Sequence, residues 1–130
     1  MKIFVYGTLL SGMSRSLALD NSKFKDHGYI HADLYDLGLY PAILTGSSKV
    51  FGEIYSVNQD TVEHLDQIEG YYLDDIEGSL YIRQEVVATM LSDGSTEFAQ
   101  VYFYNDLIDN SKFILCGDYR RYLVERSADS

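Results

Sequence analysis

Apolar positions along the chain fall in short runs separated by glycines and polar turns, a strand-rich pattern with two or three short helices. Lys2 to Tyr6 is a near-continuous apolar run, which predicts a strand covered on both faces. Gly7-Thr8-Leu9-Leu10-Ser11-Gly12 follows as a glycine-bounded turn, and Ser14 to Leu19 reads as a short helix. Phe24 to Leu37 carries strand residues broken at Gly28 and ended by Gly38. Pro41 reads as loop, with Ala42 to Leu44 a short strand after it. Val50 to Val57 alternates, with Phe51, Glu53, Tyr55 and Val57 on one face and Val50, Gly52, Ile54 and Ser56 on the other.

Asn58 is placed to cap a helix from about Gln59 to Glu69, with Gly70 as its C-terminal stop. Tyr81 to Leu91 and Thr96 to Tyr104 flank Asp93-Gly94, a hairpin signal. Asp118 is placed to cap a last helix through about Glu125, and Ser127-Ala128-Asp129-Ser130 reads as a frayed tail. This order implies an α+β fold around a curved or barrel-like, mostly antiparallel sheet. With 130 residues, 46% of them hydrophobic, the whole chain 1–130 reads as a single domain.

Charge narrows the class. Twenty Asp and Glu against ten Lys and Arg give a net −10. Val50 to Ile82 holds eight carboxylates and no Lys or Arg, so no basic face is available for a phosphate backbone, and nucleic acid is not an expected partner. No apolar run approaches a membrane span, and the N-terminus lacks the pattern of a signal peptide. Cys116 is the single cysteine, so no internal disulfide forms and a reducing cytoplasm is the expected location.

Glu69 is the most informative residue for chemistry. With Val62 set at 0° on the predicted helix, Leu65 falls at about −60° and Glu69 at about −20°. The carboxylate therefore shares the inward apolar stripe and sits in the last turn, where the helix dipole is negative. Both conditions disfavour ionisation and raise its pKa, which suits a group that takes and returns a proton. Glu53 is a second carboxylate in apolar company, with an edge position or a salt bridge to an arginine such as Arg83 as its structural alternative. A paired-carboxylate glycosidase built on Glu53 and Glu69 stays open, because the sequence does not supply their separation. Tyr6-Gly7-Thr8-Leu9 is a strand followed by a glycine turn whose successive N–H groups suit an anion, and no phosphate-loop or dinucleotide motif is present. His27, His31 and His64 have no metal-ligand spacing with one another or with Cys116.

Phe4-Val5-Tyr6-Gly7-Thr8-Leu9 and Leu65-Asp66-Gln67-Ile68-Glu69-Gly70-Tyr71, taken together, resemble the γ-glutamylcyclotransferase-like superfamily, which includes the AIG2-like and the small YtfP-type proteins. Between and after them, Leu34-Tyr35-Asp36-Leu37-Gly38, Pro41-Ala42, Val50-Phe51-Gly52-Glu53-Ile54-Tyr55, Tyr81-Ile82-Arg83 and Gly117-Asp118-Tyr119-Arg120-Arg121-Tyr122 look like family landmarks in family order.

The resemblance implies a small mixed β-barrel with flanking short helices and a cavity at one end. It implies that a γ-glutamyl amide is cleaved by its own α-amine, giving 5-oxoproline and a free amine with no metal or cofactor. By the same resemblance Glu69 is the acid/base. Tyr6, Gly7, Thr8, Leu9 and Tyr81 bind substrate, and Glu53 and Tyr119 are further pocket candidates. The expected partner is a small γ-glutamyl compound, and the expected assembly a monomer or weak homodimer.

Two departures stand out. Leu10-Ser11 occupies the place where many members carry a basic residue, and the acidic Asp74-Asp75-Ile76-Glu77-Gly78 lengthens the approach to Tyr81, adding negative charge near the expected site. Two other readings are a non-catalytic module that binds a small carboxylate or amine on the same fold, and removal of a γ-glutamyl group from a larger amine.

Overall fold

The computed structural model describes residues 1–128. Five strands close into a barrel: β1 (Lys2–Val5), β2 (Lys23–Asp36), β3 (Pro41–Ser56), β4 (Tyr81–Met90) and β5 (Thr96–Tyr104), in the spatial order β1-β3-β2-β4-β5. Four of the seams are antiparallel. The fifth, between β1 and β5, is parallel at Ile3 and Gln100 and closes the ring. Helix α1 (Gln59–Glu69) follows β3, helix α2 (Tyr119–Ala128) ends the described chain, and a 3₁₀ turn covers Ser16–Leu19. The expected mixed, mostly antiparallel barrel with short flanking helices is the fold observed.

The strand β1 is buried on both faces, as its unbroken apolar run implied. Phe4 joins the barrel interior with Ile30, Leu34, Ile43, Val50, Ile54 and Val101. Ile3 and Val5 join a second cluster with Tyr55, Val57, Tyr102 and the inward residues of α1, Val62 and Leu65. The caps are those the sequence suggested. Asn58 accepts from Thr61 N at 2.8 Å, Gly70 closes α1 in the left-handed conformation at φ 67°, and the Asp118 carboxylate accepts from Arg121 N at 3.2 Å.

Several expected boundaries move. Gly28 does not break β2, because the strand runs through it and pairs with Gly52 on one side and Met90 on the other. A Cβ there would lie 2.6 Å from both Ile54 Cδ1 and Thr89 O, so the glycine permits two close seams. Pro41 opens β3 opposite Asp36 instead of lying in a loop, a position where a strand tolerates a missing N–H. The two short segments expected at 42–44 and 50–57 are one strand. Residues 45–48 bulge where the pairing steps from His31↔Lys49 to Asp33↔Leu44, and this polar stretch wraps Asp33, which accepts from Ser48 N at 3.4 Å. The helix expected over Ser14 to Leu19 is a single 3₁₀ turn, and α2 continues past Glu125 to Ala128. Of the tail expected to fray, Ser127 and Ala128 are therefore helical, and Asp129 and Ser130 lie outside the described residues.

Candidate active site

At the C-terminal end of β1 the chain enters a series of tight turns. Leu10 N donates to Gly7 O at 3.0 Å, Met13 N to Leu10 O at 2.9 Å, and Arg15 N back to Thr8 O at 2.8 Å. Gly7 lies against Pro41, whose Cγ would stand 2.4 Å from any Cβ at that position, so only glycine lets the turn reach the barrel rim. Among the described residues, the N–H groups of Gly7, Thr8 and Leu9 donate to no protein acceptor, although Gly7 and Leu9 are buried. Buried donors are nearly always paired. Three unpaired donors on consecutive residues beside a cavity are the arrangement from which a concave anion site can be made.

That cavity lies where the two apolar clusters meet. Tyr6 to Leu9 form one wall, Tyr40, Pro41 and Tyr81 another, and Ile68 and Glu69 close it from α1. Glu69 is on the same helix face as the fully buried Val62 and Leu65, as the periodicity required. Burial pushes its carboxyl up to about 7 from an ordinary 4.5, and Arg15, across the cavity, draws it partly back. Tyr6 donates its hydroxyl proton to Tyr102 O at 2.7 Å, and Tyr81 donates to Pro41 O at 3.0 Å. Burial, reinforced for Tyr6 by Tyr81 and Glu69 and for Tyr81 by Glu69 and Tyr40, holds both phenols well above their usual range, so they stay protonated at neutral pH.

The turn residues Tyr6, Gly7, Thr8 and Leu9 are therefore brought together with Glu69 and Tyr81. The acidic stretch before Tyr81 does not line the cavity. Asp75 turns in to accept from Gly78 N at 3.0 Å, and the chain re-enters the wall only at Leu80. The expected negative charge is thus kept off the wall.

Glu53 and Tyr119 lie outside the cavity. Glu53 is 4% exposed and accepts from Ser11 N at 2.8 Å and Tyr55 Oη at 3.0 Å, and Arg120 lies 3.2 Å from its other oxygen. Arg120 also donates to Ser11 O. This carboxylate therefore secures the far end of the turn segment, and burial together with Glu53 pushes the Tyr55 hydroxyl up to about 12. Glu69 lines this cavity and Glu53 a different one among the described residues, an arrangement unlike the shared cleft that a paired-carboxylate site needs. Tyr119 packs in the barrel-interior cluster and stacks on Tyr122, because the first turn of α2 lies against the barrel. The arginine suggested for Glu53, Arg83, instead holds Asp66 at 2.9 Å, and Asp66 also accepts from Tyr102 Oη at 2.6 Å. This pair pins α1 to the β4–β5 hairpin on the far side of the cavity wall.

Replacing Glu53 by Ala should cost about 1–3 kcal/mol, since it strands the buried Tyr55 hydroxyl and takes the partner from Ser11 N and the Arg120 guanidinium. Urea denaturation reads this directly. An unmoved midpoint would mean that water replaces the carboxylate.

Arg15 is the residue that sequence reasoning missed. The basic residue expected immediately after Leu9 is absent, yet the turns fold Arg15 back to the same cavity. Its one sequence signal is that it is the first cation after Leu10.

The sequence pattern of the family described as γ-glutamyl cyclotransferase, AIG2-like, matches residues 3–121. The γ-glutamylcyclotransferase family protein YtfP of Escherichia coli K12 is 31% identical over 120 residues, covering 92% of this chain and 96% of that protein. The γ-L-glutamyl-butirosin B γ-glutamyl cyclotransferase of Niallia circulans is 27% identical over 129 residues, covering 97% and 80%. Among solved structures, an AIG2-like protein from Mus musculus superposes with a TM-score of 0.72 at 25% identity, over 91% of this chain and 86% of that one. An uncharacterised protein from Pyrococcus horikoshii shares the fold, with a TM-score of 0.73 at 22% identity over 98% and 97% of the two chains.

Proposed function

The chain belongs to the AIG2-like γ-glutamyl cyclotransferase family, and from that membership we propose that it cyclises a γ-glutamyl amide to 5-oxoproline with Glu69 as general acid/base. The observation that carries the reading is a carboxyl brought near neutrality in one cavity with three unpaired backbone N–H donors. The donors of Gly7, Thr8 and Leu9 hold the glutamyl α-carboxylate. Tyr6 and Tyr81 have committed their hydroxyl protons to backbone carbonyls, so their oxygens offer lone pairs to the substrate ammonium.

Glu69 takes a proton from that ammonium. The freed amine nitrogen attacks the γ-carbonyl carbon, forming the ring C–N bond, and the bond to the leaving nitrogen breaks as Glu69 returns the proton there. A second proton, lost as the ring nitrogen becomes an amide, also ends on the leaving amine. The products are 5-oxoproline and an ammonium, and no electron changes hands. Nucleophile and electrophile belong to one molecule, so holding the folded conformer supplies much of the rate.

The test is 5-oxoproline release from a panel of γ-glutamyl amides. Release should require deprotonated Glu69 in the free protein, so kcat/KM should fall on the acid side with an apparent pKa of about 7. A flat profile between pH 5 and pH 8 would remove Glu69 from the proton transfer. Tight binding across the panel without 5-oxoproline would identify a binding module instead.

A further inference from the structure

Along one edge the cavity continues into a shallow groove between the 3₁₀ turn and α1. Arg15 and Ile68 line both spaces, and Leu17, Ala18 and His64 complete the groove. None of Tyr6 to Leu9 reaches it, so it extends away from the N–H donors. Ile68 directly precedes Glu69 and His64 lies one turn earlier, so the groove follows α1 back from the carboxyl for about 6–8 Å.

Arg15 is exposed, and among the described residues its guanidinium makes no ion pair or hydrogen bond with the protein. That is notable in a chain with 20 carboxylates and 10 Lys and Arg. Of the described residues lining cavity and groove, Arg15 is the one arginine or lysine and Glu69 the one carboxylate. A glutamyl α-carboxylate matches the three N–H groups at the inner end, which leaves Arg15 available for a second anion on the leaving-group side.

We propose that Arg15 and this groove form the leaving-group subsite, and that the leaving amine is an α-amino acid with an apolar side chain. Its carboxylate pairs with Arg15, and its side chain lies on Leu17, Ala18 and Ile68. The assignment rests on the cyclotransferase reading above. A leaving amine with a further ammonium group would meet the guanidinium with no carboxylate in the groove to offset it. Anion binding at Arg15 also relaxes its pull on Glu69, which favours the protonated carboxyl that must deliver a proton to the leaving nitrogen.

The test compares γ-glutamyl-leucine with γ-glutamyl-isopentylamide, the same leaving group without its carboxylate, on wild type, Arg15→Gln and Arg15→Lys. Wild type should favour the leucine conjugate by about 10-fold or more in kcat/KM. Arg15→Gln should bring the two within about 2-fold, and Arg15→Lys should keep part of the preference. Both substrates are read on one protein, so the ratio cancels any effect of the substitution on folding or on Glu69. Equal losses for the two would mean that Arg15 serves the glutamyl carboxylate they share, and would overturn the subsite. A wild-type preference for the isopentylamide would also overturn it. So would release from other panel members but from neither of these, with the reaction itself left standing. Silence across the whole panel would overturn the reaction and this assignment with it.

Discussion

Glu69→Gln should lower 5-oxoproline release by about 10²- to 10⁴-fold while leaving binding of a γ-glutamyl compound nearly unchanged. The amide keeps the size of the side chain and its place on the α1 stripe with Val62 and Leu65, but it cannot take up the ammonium proton. Calorimetry of the variant with an uncleaved substrate separates binding from chemistry. Equal turnover in variant and wild type would end the acid/base assignment.

The same variant carries a stability signature of opposite sign. Below about pH 4.5 the carboxyl is neutral in both the folded and unfolded chain and costs nothing. Between that value and about pH 7 the unfolded chain ionises while the folded one stays protonated, so stability falls as pH rises. Above about pH 7 the folded state carries the full cost of a desolvated carboxylate, about 3 kcal/mol relative to acid conditions. Glutamine has no such dependence. The stability of Glu69→Gln minus that of wild type should therefore grow by about this amount from pH 4 to pH 8, as read by denaturant midpoints. A difference that is constant with pH would place Glu69 in water. The expected trade, a variant more stable at pH 8 and inactive, is that of a group kept in an unfavourable setting for its chemistry.

Gly52→Ala should be strongly damaging for a single added methyl, costing about 3 kcal/mol or more. Gly52 is not among the residues of positive φ, so the objection is spatial. A Cβ would stand 2.1 Å from Val5 O and 2.8 Å from the Phe4 ring, and the first of these is backbone that cannot turn aside. Relief requires β1 to move off β3, and β1 leads directly into Tyr6 to Leu9. Surviving folded protein should therefore also bind substrate more weakly. Gly94→Ala is the comparison. It meets nothing within 4 Å but holds φ at 74°, and should cost only about 1–2 kcal/mol. Thermal melts of the two variants rank them, and the reverse order would show that the β1–β3 seam yields easily.

What could be read from the chain alone is what depends on short-range periodicity. The position of Glu69 on the buried stripe follows from a 3.6-residue repeat over eight residues, the caps at Asn58 and Asp118 follow from side-chain reach within one turn, and the stop at Gly70 follows from a backbone free to turn left-handed. The burial of β1 on both faces, the Asp93-Gly94 hairpin and the family resemblance are legible for the same reason, since each rests on residue types at fixed local offsets.

Partners distant in sequence are not encoded that way. The apolar neighbours of Glu53 could not say that its carboxylate would meet Ser11 and Arg120, 42 and 67 residues away, instead of Glu69 or Arg83. Tyr119 gave no sign that α2 would turn it into the barrel. Gly28 resembled a break because nothing near it reveals that β3 and β4 crowd it from both sides. Arg15 shows the division most plainly. Its distance from Tyr6-Gly7-Thr8-Leu9 in sequence suggested a missing charge, and three successive turns returned the charge to the cavity. Helical and strand periods are properties of a few residues, whereas the closure of a barrel and the stacking of turns depend on the whole chain at once.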